Sequence, residues 1–351
     1  MNPCYYACYI VYKVIVYDII FYPPVYQFLI IPGLITAIII AIFIIWFERK
    51  AAAYVQMRYG PWEIAPKIGG AIQLLADLTR YAMQEIITPQ TVDTLQYLLA
   101  PIVMVVLALL PLEAVPLTSV KPYFPIPSGY SLLVAVAFTT LSPLFITMMG
   151  WASNNKFSIT GSVRESFMIT SYELISVLGL LTAAAMTRSY DLVKIVNLQM
   201  SGKWLGLINP IALFVVFIAV LMSTSGFPFE IPESESELVA GPFTEYSGLL
   251  YGLNMGGAYI RRWVFSILIT LVFLGGWAPY RPTPGVITGY FVPSLIVSLK
   301  AVVIMGIMSF LRSVYGRYRL DQALGIAWEI LIPLALLAFG IGLTEAYFGI
   351  I

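Results

Sequence analysis

The sequence predicts an all-α polytopic membrane protein with about eight transmembrane helices and one amphipathic interfacial helix. Of its 351 residues, 60% are hydrophobic and only 11% are charged, which leaves too little polar surface for a soluble globule. Apolar runs near the length of about 20 residues that a bilayer requires recur along the chain. Because no soluble domain is visible between these runs, we expect a single membrane domain over residues 1–351.

The predicted elements begin with an interfacial lead-in over residues 1–25, which is rich in aromatic residues but contains Lys13, Asp18 and two consecutive prolines. No signal-peptide pattern with a cleavage site precedes the first long apolar run. Eight spans follow, approximately over residues 26–47, 95–112, 128–150, 166–187, 205–224, 250–277, 289–311 and 325–348.

The distribution of positive charge predicts the orientation of these spans. If the amino terminus is outside, ten of the nineteen Lys and Arg residues fall on the inner connections and six on the outer ones. Because Lys and Arg concentrate on the cytoplasmic side, the large connections, including the acidic loop over residues 225–249, are expected to be cytoplasmic.

Composition also excludes several functions. The net charge is +1, so nothing indicates nucleic-acid binding. The chain has no histidine and only two cysteines, Cys4 and Cys8, which excludes histidine-ligated haem and an iron–sulfur cluster held by this chain alone. We interpret the two cysteines as packing residues rather than as a disulfide or metal site, and we expect any redox centres to lie in partner subunits.

An amphipathic helix is predicted over residues 66–86. Its polar positions are Gln73, Asp77, Arg80 and Gln84, and Asp77 and Arg80 are spaced to form an ion pair. A surface helix with one wet side is the simpler interpretation; a narrow polar stripe facing a cavity is the alternative. Arg58, beside a Gly-Pro bend, is interpreted most simply as an anchor in the headgroup region.

The acidic loop is the most unusual stretch. Residues 230–246 contain Glu230, Glu233, Glu235, Glu237 and Glu245 but no Lys or Arg. A solvated acidic loop is one interpretation. However, apolar side chains such as Phe227 and Phe229 lie between the carboxylates, and carboxylates in apolar surroundings have raised proton affinities that suit proton transfer.

Glu173 is a further candidate because it lies within an apolar span. A carboxylate in such a position is costly, so a role in proton transfer is the leading hypothesis and a structural hydrogen bond is the alternative.

Several motifs, in order along most of the chain, resemble one family. They are Glu48-Arg49-Lys50, Gln56, Arg58, Gly60-Pro61, Gln73, Ala76-Asp77, Asn155-Lys156-Phe157-Ser158, Ser171-Tyr172-Glu173, Pro228-Phe229-Glu230, Glu235-Ser236-Glu237-Leu238-Val239, Glu245-Tyr246, Phe273-Leu274-Gly275-Gly276-Trp277 and Arg317-Tyr318-Arg319. The pattern is similar to the H subunit of respiratory complex I, also called NADH-ubiquinone oxidoreductase chain 1, and it extends from about residue 28 to 345.

The resemblance implies a membrane subunit that is not catalytic alone. This subunit would form the wall of a quinone tunnel and couple quinone reduction to proton translocation. It assigns Arg58, Asp77 and Phe229 to the tunnel, and Glu173, Glu230, Glu233, Glu235 and Glu237 to a proton relay. It further implies that quinone is the substrate and that this chain binds no cofactor or metal, because the iron–sulfur clusters lie in partner subunits. The expected partners are other membrane and hydrophilic subunits, and the expected location is a prokaryotic cell membrane.

The chain departs from the family pattern at a few positions. Ser223 and Ala258 replace glutamates, Gly226 replaces an arginine, and Glu329 replaces a lysine. Glu113 and Glu329 are unusual carboxylates that are candidates to substitute on the proton path.

Two other functions stay open on the sequence. The run from Gly241 to Gly248 also resembles the equivalent subunit of membrane-bound hydrogenases and of coenzyme F(420)-dependent dehydrogenases. A stand-alone ion transporter is a weaker alternative, because the inverted repeats or paired broken helices typical of transporters are not visible.

Overall fold

The computed structural model describes residues 29, 31–120, 129–285 and 287–349, and within these the regular structure is helical. The predicted lead-in over residues 1–25 lies outside the described residues. We label ten helices: α1 Leu34–Val55, α2 Gln73–Met83, α3 Thr94–Ala114, α4 Ser131–Ala152, α5 Lys156–Thr187, α6 Leu192–Gln199, α7 Pro210–Ser223, α8 Gly248–Phe273, α9 Ile287–Val314 and α10 Leu320–Phe348.

Six of these helices are long and apolar enough to cross a membrane, namely α3, α4, α5, α8, α9 and α10. The prediction of an all-α polytopic membrane protein is therefore confirmed. The other two predicted spans correspond to different elements. Residues 26–47 fall partly outside the described residues, and from Leu34 onward they belong to α1, whose second half carries Glu48, Arg49 and Lys50. Residues 205–224 contain a four-residue helix followed by α7, which has only 14 residues because Asn209 caps its start and Pro210 follows.

The helices form one bundle in which α8 is the most enclosed. It contacts α1, α2, α3 and α9, while α5 packs against α4, α7 and α10. Of the six long helices, α8 has the largest buried share of its apolar window, 83%, and α10 has the smallest, 22%.

Four connections meet at one end of the bundle, which we call the loop end. Arg164, near the start of α5, forms an ion pair with Glu237 of the acidic loop. The backbone N–H of Tyr318, after α9, donates to the carbonyl of Pro228 at 2.9 Å. The backbone N–H of Ile87, after α2, donates to Ser247 Oγ at 2.9 Å. Asn155, in the connection after α4, donates to Glu245, so the acidic loop is held between the connections that follow α2, α4 and α9.

The opposite end of α8 is held by two polar side chains. Lys300 Nζ, from within α9, donates to the carbonyls of Leu274, Gly276 and Ala278, each at 2.8 Å. Gln199 Nε2 donates to the carbonyls of Leu271 at 3.1 Å and Val272 at 3.0 Å. The last carbonyls of a helix have no partner within it, and Gln199 satisfies two of them at the end of α8. Lys300 satisfies carbonyls of the segment directly after α8, where its positive charge is favourable near the negative end of the helix dipole.

The amphipathic helix is shorter than the predicted range of 66–86. It is preceded by a single 3₁₀ turn over Pro66–Ile68, and α2 begins only at Gln73. The cause is Gly69 and Gly70, both with positive φ, since a Cβ at Gly70 would lie 2.3 Å from the carbonyl oxygen of Pro61. The predicted pair between Asp77 and Arg80 is replaced by another: Arg49 Nη1 of α1 lies 2.8 Å from Asp77 Oδ2.

Candidate functional site

A cavity of about 800 Å³ opens at the loop end of the bundle. Its walls come from α1, α2, α8, the acidic loop and the last turn of α9. Along α1 the lining is apolar at Ile38 and Ile42 and charged at Glu48 and Arg49, which we call the charged side. Since Ile38 and Arg49 are eleven residues apart on one helix, the change from apolar to charged lining takes place over about 16 Å.

Among the charged residues, the structure brings together five of the predicted ones. They are Arg58, Asp77, Glu230, Glu233 and Glu235. A second cavity of about 780 Å³ shares Arg49 and Arg58 with the first and continues along the Gly60-Pro61 bend. The polar stripe of α2 therefore faces a cavity at Asp77, which favours the sharper of the two interpretations of that helix.

Glu48 is a buried carboxylate at the charged side that sequence reasoning did not assign. Its side chain is only 7% exposed, and it accepts a hydrogen bond from Arg312. Tyr259 Oη donates to it at 3.2 Å, and Arg262 Nη1 lies 3.5 Å from it. Helices α1, α8 and α9 are thus joined by one charged cluster, in which two arginines compensate a carboxylate.

Glu230 joins this cluster to the acidic loop. Its carboxylate lies 3.5 Å from Arg312 Nη2. Burial raises the pKa of Glu230 above its usual range; the positive charge of Arg312 opposes that shift, and the negative charges of Glu235 and Glu48 reinforce it. Protonation of Glu230 is therefore coupled to the charges on both neighbouring walls.

Glu233 has the most perturbed carboxylate of the acidic loop. Burial raises the pKa of Glu233 to about 8, and the negative charges of Glu230 and Glu165 contribute. The positive charges of Arg261 and Arg312 act in the opposite direction. A carboxyl with a pKa near neutrality can both bind and release a proton under physiological conditions.

Glu237 behaves differently, although it is only four residues away. It is exposed, it does not line the cavity, and it pairs with Arg164 and, at 3.8 Å, with Arg317. The hydrogen bond from Arg164 holds the pKa of Glu237 below its usual range. Its described contacts tie the acidic loop to α5 and to the connection after α9.

Two other predicted residues lie away from the cavity. Phe229 is buried in the core beneath the acidic loop, where its ring centroid lies 5.6 Å from that of Tyr318. It supports the loop from behind, while Phe227 lines the cavity. Glu173 is half-buried on α5, one position after Tyr172.

A buried polar group lies between the acidic loop and Glu173. Glu165 of α5 is buried and accepts a 2.9 Å hydrogen bond from Tyr172 Oη. Arg261 of α8 is also buried, and its Nε and Nη1 have no hydrogen-bond partner among the described residues. Its charge lies close enough to Glu165, Glu173 and Glu233 to act on all three. Both side-chain polar atoms of Asn254, two turns earlier on α8, are likewise buried without a partner in the described part of the chain, and such groups are ordinarily satisfied by internal water.

The departures from the family pattern have visible surroundings. Ala258 lines the cavity, and Ser223 is buried, with its hydroxyl donating to the carbonyl of Val220 at 3.1 Å. A Cβ at Gly226 would lie 3.6 Å from Arg262 Nη2. The guanidinium of Arg262 therefore lies beside the position at which the family pattern has an arginine. Glu113 and Glu329 are not among the residues that line the cavity.

Sequence reasoning missed Glu48, Glu165, Arg261, Arg262 and Arg312 as members of the site. Glu165 and Tyr172 are seven residues apart, which places them on one face of a helix, and this spacing could have found them. The two arginines of α8 lie in the middle of a long apolar helix, where an ionisable residue is a signal of function.

The helices and the cavity define an integral membrane protein with a ligand-sized cavity at one end of its helix bundle. Apolar and ionisable residues both line this cavity, and buried carboxylates lie next to it within the bundle.

Comparison with known proteins identifies the family. The family model described as NADH dehydrogenase matches residues 28–342. The chain is 33% identical over 298 residues to the H subunit of NADH-quinone oxidoreductase from Carboxydothermus hydrogenoformans, covering 84% of this chain and 82% of that protein. It is 35% identical over 311 residues to the Rhodobacter capsulatus protein of the same name, covering 87% of each. It is 33% identical over 310 residues to the H subunit of F(420)H(2) dehydrogenase from Methanosarcina mazei, covering 85% of this chain and 88% of that protein.

The chain belongs to the family of the respiratory complex I H subunit, which includes archaeal members. It is a membrane subunit of a complex I-like oxidoreductase, so other subunits complete the enzyme.

Proposed function

We propose that this chain forms the membrane-side wall of a quinone-binding tunnel and couples quinone reduction to proton translocation. The observation that carries the proposal is the cavity whose lining along α1 changes from apolar, at Ile38 and Ile42, to charged, at Glu48 and Arg49. A quinone with an isoprenoid tail has the same division, since its tail is apolar and its head group accepts hydrogen bonds. Ile38 and Ile42 would contact the tail, and Arg58 and Asp77 would lie toward the head group.

The carboxylates of the acidic loop are suited to the protons of this reaction. Reduction of a quinone to a quinol consumes two electrons and two protons, and each transfer changes the charge in the cavity. Glu230 and Glu233 line the cavity and have raised pKa values, so they respond to that change by binding or releasing protons. Glu235 lines the same wall.

From Glu233, the buried polar group offers a route into the membrane. Glu165 and Arg261 lie next in that direction, and Glu173 follows on α5. Internal water at Asn254 and Arg261 would connect these side chains, because their unpartnered polar atoms are buried and need hydrogen-bond partners. Glu237 would act on this relay from outside the cavity, by holding the loop against Arg164 and Arg317.

The remaining parts of the enzyme lie in other subunits. The electrons come from iron–sulfur clusters in hydrophilic partners, which dock at the loop end, and this chain itself binds no cofactor or metal. The loop end faces the cytoplasm, and the complex lies in the cell membrane, in contact with lipid through the exposed apolar faces of its spans.

A photoreactive quinone analogue tests the proposal. The intact complex is illuminated with an analogue that carries the reactive group on its tail, and the labelled peptides are identified. Label is expected on α1 between residues 38 and 45 and on α8 between residues 252 and 260, and an excess of unlabelled quinone should prevent it. Label confined to the outer faces of the bundle, or label that unlabelled quinone does not displace, would contradict the assignment.

A second candidate is the equivalent subunit of an F(420)-dependent dehydrogenase or of a membrane-bound hydrogenase. It is favoured by the similarity to the Methanosarcina mazei protein, whose name places it in an F(420)H(2) dehydrogenase. Purification of the complex, followed by assays with NADH, reduced coenzyme F(420) and hydrogen as electron donors, separates these functions.

A further inference from the structure

Helix α10 has an unusually exposed face for a helix of this bundle. Only 22% of its apolar window is buried, against 83% for α8. It contacts α5 and α7 on one side, and Trp328 fixes it there by donating a 3.0 Å hydrogen bond from Nε1 to Ser171 Oγ. The opposite side of the helix is left open.

That open face carries a carboxylate. Glu329 is exposed, and it has no hydrogen bond or ion pair among the described residues. It lies nine residues after Leu320, within a π-helical turn of α10 over Ile326–Leu331. Its neighbours in sequence, Trp328 and Ile330, are large apolar residues that are also exposed. An ionised side chain presented to hydrocarbon is unfavourable, so a charge in this position normally has a partner.

Small residues lie on the same face. Gly340 is exposed, and a Cβ added to it would meet no atom within 4 Å. Thr344 follows one turn later, with its hydroxyl already donating to the carbonyl of Ile341 at 2.7 Å. At 100° per residue in the α-helical part that follows the π-helical turn, Leu336, Gly340 and Thr344 lie within about 80° of one another, and all three are exposed, as Glu329 is. Small residues spaced by four let the backbones of two membrane helices come close together.

We propose that the face formed by Glu329, Leu336, Gly340 and Thr344 packs against a transmembrane helix of a neighbouring subunit, and that this helix presents a Lys or Arg side chain to Glu329. The inference rests on membership of a multi-subunit membrane complex and is independent of the quinone tunnel, because none of these four residues lines the cavity.

A different protein explains the face better than a second copy of this chain. Helix α10 contains no Lys or Arg between Leu320 and Phe348. Two copies packed through this face would therefore bring two carboxylates into an apolar interface without a positive charge. A neighbouring helix with one basic side chain satisfies the carboxylate, and the open space at Gly340 allows the backbone of that helix to come close.

The first test is photo-crosslinking in the intact complex, with Glu329 unchanged. A photoreactive benzoylphenylalanine is introduced at Leu336, and the matched control carries it at Ile341, which is also exposed but lies about 140° away around the helix. We expect Leu336 to capture one membrane subunit, through a helix that contains Lys or Arg within one turn of the depth of Glu329. Capture of lipid only, of a second copy of this chain, or of a helix without a basic residue would overturn the proposal.

The second test is reversal of charge. Glu329→Lys should weaken retention of the captured subunit by roughly a hundredfold, because two positive charges would then meet in the interface. Glu329→Gln should have a smaller effect. Changing the basic residue of the partner to Glu should restore retention of the Glu329→Lys variant. Equal retention by all variants, with the amount of this chain in the membrane unchanged, would overturn the proposal. Labelling by the quinone analogue is a separate measurement, which tests the proposed function and not this interface.

Discussion

The guanidinium of Arg312 lies 3.5 Å from the carboxylate of Glu230, and the same side chain donates to Glu48. One cation therefore serves two carboxylates, one on α1 and one on the acidic loop. Any change in the protonation of Glu230 alters the charge balance around Glu48, so the wall of the cavity and the core of the bundle are electrostatically coupled.

Arg312→Gln should destabilise the protein. Glu48 is 7% exposed, and without Arg312 it keeps only the more distant Arg262 as a counter-charge. We expect a loss of about 3 kcal/mol, at the low end of the range for breaking a buried pair, because Arg312 itself is 38% exposed. Thermal unfolding of the purified complex measures it.

Arg319→Gln is the matched control for that variant. Arg319 and Asp321 form a pair whose side chains are 77% and 69% exposed, so its loss should change stability by well under about 1 kcal/mol. Equal destabilisation by the two substitutions would show that Glu48 does not depend on Arg312.

Glu233→Gln should change the pH dependence of quinone reduction. The pKa of Glu233 is raised to about 8, so the carboxyl is protonated below that pH and ionised above it. If the protonated form delivers the proton, the rate falls as pH rises through about 8, and this fall should be absent in the variant. Glu237→Gln is the control, because the pKa of Glu237 is lowered and the residue stays ionised over the same range. Identical pH profiles for wild type and Glu233→Gln would remove Glu233 from the relay.

Arg261→Gln should shift the same pH profile in a defined direction. The positive charge of Arg261 lowers the pKa of Glu233, so its removal raises that pKa and moves the alkaline fall in rate to higher pH. Arg261→Lys keeps the charge and should preserve the wild-type position of the fall. The comparison is made from rates of quinone reduction across the alkaline range. A shift toward lower pH in Arg261→Gln would contradict the placement of this charge.

Asp77→Asn should raise the KM for quinone with a smaller effect on kcat. Asp77 lines the cavity and holds Arg49 at 2.8 Å, so its neutralisation frees a guanidinium at the charged side. We expect an increase of about tenfold in KM, corresponding to about 1.4 kcal/mol of binding. Asp321→Asn, in an exposed pair, provides the control. Unchanged quinone kinetics would show instead that α2 is an ordinary surface helix with one wet side.

Lys300→Met should lower stability without changing the KM for quinone. The substitution leaves three carbonyls without their donor, and we expect a loss of about 3 kcal/mol or more. Lys194→Met, an exposed lysine on α6, should have little effect on thermal unfolding. A raised KM in Lys300→Met would mean that the cap acts on the cavity rather than on the helix alone.

The class of protein and the membership of the acidic loop could be predicted from sequence because they depend on composition and motif order. The different environments of the carboxylates within the loop could not be predicted. Glu233 and Glu237 have similar neighbours in sequence, yet one lines the cavity and the other pairs with Arg164 at the surface, since the loop has no regular period that would assign its faces. The start of α2 was predicted too early because apolar spacing continued across Gly69 and Gly70. The buried cluster at Glu48 escaped notice because its arginines come from helices far apart in sequence.

The cap on α8 has a mechanical consequence. Gln199 binds two carbonyls of the last turn of α8, and Lys300 binds carbonyls of the segment that follows it. The cavity-lining residues of the same helix, from Tyr251 to Arg262, lie toward its other end. A ligand that fills the cavity therefore contacts a helix whose far end is fixed, so any displacement it causes is directed toward the acidic loop that precedes the helix.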